Sequence, residues 1–557
     1  MRNAGRLLLP IGTTNYKKIC DNYYYVDKTL MIKDILDEGT EISLFTRPRR
    51  FGKTLNMDML RTFFEKQEED TSRYFTDKKI WQQGEAYTKH QGKYPVIYLS
   101  LKDANKLTWS DLYARLIETI RDEFFRHSEL NNSPKISNPE FYKKIIAGQA
   151  TEAEYSISIL RLSRMLREHY GQSVILMIDE YDTPIQAGYI NGFYNEAIQF
   201  IRDLFSSALK DNDNLAFGFL TGILRVAKES IFSGLNNIYV YSVLDDKFSD
   251  YFGFTDMEVK QLVHYYALDD KLAEIKEWYD GYRFGEVEIY NPWSVLSYLK
   301  NGCRAIPYWV QTSSNSTINT ILRNLDGETY QKLKDIINGK AISSIVSTNV
   351  IYPELKDRSA NIFGFLLMTG YLKSSRTNFT MRGNILCELC IPNKEIENVY
   401  YNEILSQLAD GVSINTTNVL SEALLHKDDV LLKQSLNKFL LETISFYDTL
   451  NENYYHGLLL GMTAIFAHDY YIYSNRESGL GRYDIMLVPK QAGLPGIVIE
   501  VKSTDKSSSA ALKALASRAL AQINTNKYDA ELVKQGVKLI YKYGIAFSGK
   551  QAEIMTN

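Results

Sequence analysis

The first clear pattern along the chain is the run Thr40–Thr46, where Ile42, Leu44 and Phe45 predict a short buried strand. A polar loop follows, Arg47-Pro48-Arg49-Arg50-Phe51-Gly52. From Lys53 to Glu65, Leu55, Met59, Leu60, Phe63 and Phe64 then recur at helical spacing. Apolar runs at 95–101, 174–178 and 215–220 read as further strands with helical patterns between them. Strands alternating with helices predict a parallel sheet covered on both faces. From about Thr255 the pattern is mostly helical, broken by the aromatic turns Trp278–Gly285 and Tyr290–Trp293. Residues 300–390 mix helices with a few strands, one of them near Ile385–Ile391, and Asn393–Leu441 reads as a charged helical connector. The final stretch predicts a separate α/β unit: a helix near 451–467, strands near 470–474, 481–488 and 496–502, a helix near 510–523 and a last strand near 537–547.

A chain of 557 residues exceeds a single hydrophobic core, so two to four domains are expected. A net charge of -3 excludes a chain that is basic throughout, and any nucleic-acid surface must be local. From Lys490 onward there are 10 Lys/Arg against 5 Asp/Glu, an excess that suits a phosphate backbone or a solvated face. Four cysteines are too few for a disulfide framework. Cys387 and Cys390 have CxxC spacing but no second pair to complete a zinc site. No apolar run reaches bilayer length, and the N-terminal residues lack a signal-peptide core. A cytoplasmic protein without membrane contact is expected, of unspecified oligomeric state.

Gly52-Lys53-Thr54 lies between a predicted strand and a predicted helix, the setting of a phosphate-binding loop. Helix N-terminal N–H groups would face the phosphates, Lys53 would reach the β/γ oxygens, and Thr54 would ligate Mg²⁺. The usual pattern is GxxxxGK[ST], and Arg47 stands at the first glycine position. Val174–Glu180 is an apolar strand ending in two acids. Asp179 would hold Mg²⁺, and Glu180 would orient the attacking water. Leu215–Gly222 ends in a polar residue, Thr221, placed as a γ-phosphate sensor, and Arg225 follows as a weaker phosphate candidate. The plainer alternative is that Asp179 and Glu180 cap a strand and Lys53 is a solvated charge.

Together with Tyr25-Val26-Asp27-Lys28-Thr29, Ile178-Asp179-Glu180-Tyr181-Asp182 and the run starting at Trp278, the segment Phe45–Thr54 resembles the AAA-ATPase-like family carried in many copies by Bacteroidetes. The resemblance covers roughly residues 6–295 and implies a P-loop fold that takes ATP with Mg²⁺. In that family an arginine at the first loop position is usual. The expected nucleotide set is Arg47, Pro48, Arg49, Arg50, Phe51, Gly52, Lys53, Thr54, Asp179 and Thr221, with Thr54 and Asp179 as metal residues.

A second constellation lies near the end of the chain. In an extended strand Val498, Glu500 and Lys502 share one face, and Ile497, Ile499 and Val501 the other. A carboxylate and a lysine on an apolar strand are costly unless used or paired. Asp484, placed near the middle of the preceding strand, would face Glu500 if the two strands pair across the intervening turn. Two carboxylates sharing a site invite a hard cation, Mg²⁺ or Mn²⁺, and Lys502 would position a water or steady developing charge. Glu452 and His456 share a helical face upstream, and Arg518 and Gln522 share one downstream, able to contact phosphate or orient Lys502. This ordered set resembles the PD-(D/E)xK nuclease superfamily over roughly 446–547, with Glu452–Gly457 matching the opening motif of the subgroup fused to AAA-ATPase-like proteins. It implies a catalytic set of Asp484, Glu500, Lys502, Glu452 and Gln522, with Asp484 and Glu500 on the metal. The alternative is a buried ion-pair network in a non-catalytic fold, with His456 a packed core histidine.

The expected architecture is α/β: a P-loop domain over 1–254 with a parallel sheet, a mostly helical lid or middle region over 255–392, a helical connector over 393–445, and a restriction-endonuclease-like α/β domain over 446–557. The expected function is an ATP-controlled nuclease acting on DNA ahead of RNA. A second reading is a nucleotide-dependent switch whose C-terminal domain only binds nucleic acid or protein. A third is an ATPase of assembly or partner recognition, resting on the aromatic middle region.

Overall fold

A computed structural model describes residues 6–226, 237–309, 329, 332–333, 335–336, 339–350, 352–354, 359–400, 414–443, 452–463, 466, 469–474, 477–491, 493–505 and 508–557. The chain divides into two compact units, residues 1–397 and 398–557.

Unit 1 is built on a five-stranded parallel sheet: β1 (Ile42–Thr46), β2 (Val96–Ser100), β3 (Val174–Asp179), β4 (Leu215–Gly222) and β5 (Ile238–Tyr241). The order across the sheet is β2-β3-β4-β1-β5. Every residue of β1 and β3 is buried, which is why both read as continuous apolar runs instead of alternating ones. β4 lies between them. Thr46 at the end of β1 pairs with Gly222, and Ile178 on β3 pairs with Leu220, so Thr221 falls between the phosphate loop and the acids that end β3. The loop turns directly into α1 (Lys53–Phe64).

After this sheet come the helices Asp256–Tyr265, Leu272–Tyr279 and Pro292–Lys300, joined in a core of Val259, Leu262, Ile275, Tyr279, Tyr290 and Tyr298. The aromatic turn after Trp278 forms a hairpin of Tyr282–Phe284 and Val287–Ile289. A three-stranded antiparallel sheet follows, with Ile385–Cys390 between Lys373–Phe379 and Ile342–Val346. This later part of unit 1 packs on the phosphate loop. Phe51 meets Tyr282 edge-on at 4.9 Å and Phe284 at 5.1 Å, and Trp309 Nε1 donates to the Arg49 carbonyl at 3.1 Å. Gly370 sits so close to Pro48 that an added Cβ would come within 3.0 Å of it.

Unit 2 holds a second five-stranded sheet: β6 (Tyr470–Ser474), β7 (Ile485–Pro489), β8 (Gly496–Ser503), β9 (Ile540–Ser548) and β10 (Gln551–Thr556), in that spatial order. Only β8 and β9 run parallel, and the helix α3 (Ser509–Thr525) makes the crossover between them, as a parallel pair requires. On one face Ile485, Ile497, Ile499, Val501 and Tyr543 pack with Tyr455 and Leu458 of α2 (Glu452–Thr463). On the other, Met486, Val488 and Val498 pack with Ile523 and Leu532.

Several expectations change in detail. The helices Ile414–Leu425 and Asp429–Thr443, taken as connector, place Leu420, Leu432, Leu436 and Phe439 in the core of unit 2. Residues 401–413 and 444–445 of that stretch, like 310–328 of the middle region and 451, 464, 465 and 467 of the expected α2, lie outside the described residues. The strand expected over 481–488 is two pieces: Gly481–Arg482 pairs with Glu477–Ser478, and β7 begins only at Ile485. The chain also adds β10 after the strand expected to be last. No helix among the described residues is long and apolar enough to cross a membrane.

Candidate nucleotide site and candidate nuclease centre

The phosphate loop turns at Gly52, whose φ of 86° is in the left-handed region and suits a residue without Cβ. Lys53 is buried and donates to the carbonyls of Arg47 (2.9 Å) and Pro48 (2.8 Å). Burial lowers its pKa, opposed by the charges of Glu180, Asp182 and Asp179. Thr54 Oγ1 donates to Asp179 Oδ2 at 2.8 Å, and Thr221 Oγ1 donates to Asp179 Oδ1. Three residues from α1, β3 and β4 thus form one chain of hydrogen bonds around a fully buried carboxylate. Glu180, at a positive φ of 55°, donates its N–H to Thr221 Oγ1 at 3.3 Å. Burial raises the Glu180 pKa, and Lys53 opposes the rise. A cavity of about 680 Å³ is lined by Arg49–Asn56 and Glu180 on its polar side.

Not every expected loop residue turns its side chain to that cavity. Arg47 is fully buried. Its guanidinium donates to the carbonyls of Thr46 (2.9 Å), Tyr241 (2.7 Å) and Phe248 (3.2 Å) and lies over the rings of Phe252 and Phe284. Desolvation lowers its pKa to about 9. The arginine at the first glycine position therefore ties β1 to the end of β5 and the chain after it, and its side chain is turned away from the cavity. Arg47 and Pro48 do not line the cavity, and the Phe51 side chain is wholly in the packing. Arg49 donates to Gln186 at 3.0 Å, and Arg50 lies over the Trp293 ring at 4.2 Å. Asp179 and Thr221 do not line the cavity either; Asp179 is reached through Thr54. Arg225 sits in a two-residue ladder with Asn349–Val350.

Two residues given no role from the sequence organise this site. Asp182 Oδ2 accepts from the N–H groups of Ile223 (2.9 Å) and Leu224 (3.0 Å). The Tyr181 hydroxyl donates to the Leu224 carbonyl at 2.5 Å and accepts from Val226 N–H at 3.1 Å. Both fix the loop that leaves Thr221. Their signal in the sequence was the Ile178–Asp182 motif, which carries the family resemblance without assigning either a role.

In unit 2 the antiparallel register pairs Ile485 with Ile499, which puts Asp484, the next residue outward, opposite Glu500. Asp484 lies in the bend just before β7, not in mid-strand as expected. Its Oδ2 accepts from Val501 N–H at 2.7 Å. Glu500 is 2 % exposed. Its Oε1 accepts from Lys502 (2.9 Å) and Gln522 (2.5 Å), whereas Oε2 is buried and accepts nothing among the described residues. Burial first, then the Asp484 charge, pushes the Glu500 pKa up to about 7; burial also raises Asp484. Lys502 loses basicity to burial but gains more from Glu500, so its pKa rises. Lys502 also reaches Glu452 at 3.4 Å, and Glu452 accepts from Ser503 N–H at 3.3 Å.

The structure therefore brings Asp484, Glu500, Lys502, Glu452 and Gln522 together. Gln522 contacts Glu500, not Lys502, and is itself placed by the Tyr528 hydroxyl at 3.1 Å, a partner that sequence reasoning missed. His456 Nε2 meets the Asp484 carbonyl (3.1 Å) and Ser474 Oγ (3.0 Å), a packing role behind the carboxylates. Arg518 is exposed on α3. Among the described residues no group of three or more His, Cys, Asp or Glu side chains is arranged to hold a metal.

Two protein-family models match the chain: residues 10–232 match that of a predicted AAA-ATPase, and residues 450–557 match that of the PD-(D/E)XK nuclease superfamily. The chain joins an AAA-ATPase-like domain to a PD-(D/E)XK nuclease superfamily domain. The AAA-ATPase-like match spans β1 to β4 of the sheet that presents Lys53 and Asp179, and the nuclease-superfamily match spans all five residues of the second site. Over 489 residues the chain is also 26% identical to an uncharacterized protein in vnfD 5'region of Azotobacter chroococcum mcd 1, covering 86% of this chain and 81% of that protein.

Proposed function

We propose that the protein binds and hydrolyses ATP in its AAA-ATPase-like domain and cleaves phosphodiester bonds of nucleic acid, DNA ahead of RNA, in its nuclease-superfamily domain, with nucleotide state controlling cleavage. The observation that carries the nuclease half is Glu500: a buried carboxylate beside Asp484, with one oxygen held by Lys502 and Gln522 and the other accepting no hydrogen bond among the described residues. A buried acceptor left unpaired is costly, and so is a second carboxylate next to it. A divalent cation, Mg²⁺ or Mn²⁺, held by Asp484 and Glu500 would relieve both costs and supply Lewis acidity toward a phosphodiester. Gln522 fixes the Glu500 rotamer through Oε1. Lys502, steadied by Glu452, would orient a water or balance negative charge that develops on the phosphate.

The ATPase half rests on Lys53 and Thr54 at the start of α1 and on the Thr54–Asp179–Thr221 chain. Thr54 and Asp179 would be the pair that holds Mg²⁺, and Glu180 would orient the attacking water. Control of one domain by the other is supported by their fusion in one polypeptide. Cleavage of plasmid and oligonucleotide DNA with Mg²⁺ or Mn²⁺, with and without ATP, tests the whole reading. Wild-type protein is expected to cleave in an ATP-dependent manner and Lys502→Ala to cleave at least about a hundredfold more slowly; indistinguishable cleavage by the two refutes the catalytic assignment.

The ion pairs from Lys502 to Glu500 and Glu452 favour a second reading, a nucleotide-dependent switch whose C-terminal domain binds a partner without cutting it. Titration calorimetry separates the two. A Mn²⁺ site that Asp484→Asn removes supports catalysis, and the lack of any such site supports the switch.

A further inference from the structure

The cavity over the phosphate loop has two unlike halves. One is the polar floor of Gly52, Lys53, Thr54 and Glu180. The other, in the same cavity, is apolar and aromatic: Tyr24, Val26, Phe254, Trp293 and Leu296. A polyphosphate has no use for that second wall, since phosphate oxygens are bound by N–H groups and cations. We propose that this wall is the nucleobase subsite of the nucleotide whose phosphates sit on Gly52–Thr54, with Trp293 and Arg50 as its flat platform; the assignment rests on the nucleotide-binding reading above.

The wall is held in place before any ligand arrives. The helix Pro292–Lys300 is capped by Asn291, whose side chain accepts from Ser294 N–H at 3.2 Å, and this helix carries both Trp293 and Leu296. Trp293 Nε1 donates to the Tyr308 carbonyl at 3.3 Å, which fixes the indole plane. Tyr24 is braced by Tyr265, with ring centroids 4.7 Å apart. Arg50, at a positive φ of 72°, turns out of the loop and lays its guanidinium on the indole at 4.2 Å. An arginine spent on an aromatic ring in this way extends the platform instead of serving as a phosphate ligand. The aromatic turn Tyr290–Trp293 thereby acquires a role in recognising the uncharged part of the ligand.

Calorimetric titration of the full chain with Mg·ATP and with Mg·tripolyphosphate isolates the base from the phosphates. Wild-type protein is expected to bind ATP at least about tenfold more tightly than tripolyphosphate. Trp293→Ala is expected to weaken ATP by roughly tenfold to a hundredfold while leaving tripolyphosphate within about twofold, and Trp293→Phe to keep most of the ATP affinity. Retained tripolyphosphate binding doubles as the check that the variant is folded. Unchanged ATP affinity in Trp293→Ala, or equal weakening of both ligands in Trp293→Ala and Trp293→Phe alike, overturns the subsite. Failure of the nucleotide reading has a different signature: wild-type protein binds neither ligand, or Lys53→Ala binds both as tightly as wild type.

Discussion

The two units bury a carboxylate in opposite ways. Asp179 in unit 1 has both oxygens occupied by hydroxyl donors, Thr54 and Thr221. Glu500 in unit 2 has one oxygen doubly engaged, by Lys502 and Gln522, and the other unengaged beside a second acid. Hydroxyls satisfy an acceptor without adding net charge, so the first arrangement is closed and steady. The second sets two carboxylates against Lys502 and leaves one buried oxygen without a donor among the described residues, which is a reason to seek chemistry there.

The sharpest test of this contrast is Lys502→Ala. If the second site is catalytic, cleavage falls by roughly a hundredfold to ten-thousandfold in a plasmid assay. If cleavage persists, the contrast reduces to two styles of packing. Asp179→Asn should lower ATP turnover by about a hundredfold, measured as phosphate release. Arg47→Met tests the closed side through stability. It strands three backbone carbonyls and should cost about 3 kcal/mol, read as a lower urea midpoint.

Glu395 offers a comparison within unit 1. It is buried, accepts from Ser294 Oγ and Trp309 N–H, and desolvation raises its pKa to about 7. The unfolded value is about 4.3, so between these pH values the folded state holds a proton that the unfolded state has lost. Its contribution to stability therefore declines as pH rises through that window and levels off above about 7. Glu395→Gln should flatten the decline, worth on the order of 3 kcal/mol, in melting curves taken from pH 5 to 8. The smallest expected effect is that of Tyr181→Phe. Loss of the bonds to Leu224 and Val226 should cost about 1 kcal/mol of stability.

How much of this was legible depended on whether the signal was local. Continuous apolar runs marked β1 and β3, and the acids after β3 marked a site, because burial on both faces of a parallel strand leaves a one-dimensional trace. The alternation of Val498, Glu500 and Lys502 likewise fixed a shared face. Asp484 misled: Tyr483 and Ile485 on either side are both buried, so the bend between two short ladders looked like unbroken strand. β10 left little trace because only Ala552 and Ile554 of its six residues are buried. The fate of the Arg47 side chain was out of reach, since its carbonyl partners at Tyr241 and Phe248 lie about 200 residues away in sequence. The helices at 414–443 had their buried leucines in plain view, but the charges between them suggested a solvated link.

The packing of Tyr282, Phe284, Trp309 and Gly370 against the phosphate loop has a practical consequence for anyone expressing pieces of this protein. A fragment stopped at residue 254, the expected end of the P-loop domain, would strip Tyr282 and Phe284 from Phe51, Phe284 from one face of the Arg47 cation and Trp309 from the Arg49 carbonyl. Such a fragment should be insoluble or inert however faithfully it preserves the motifs. A fragment that keeps these contacts runs to Glu397, the end of unit 1.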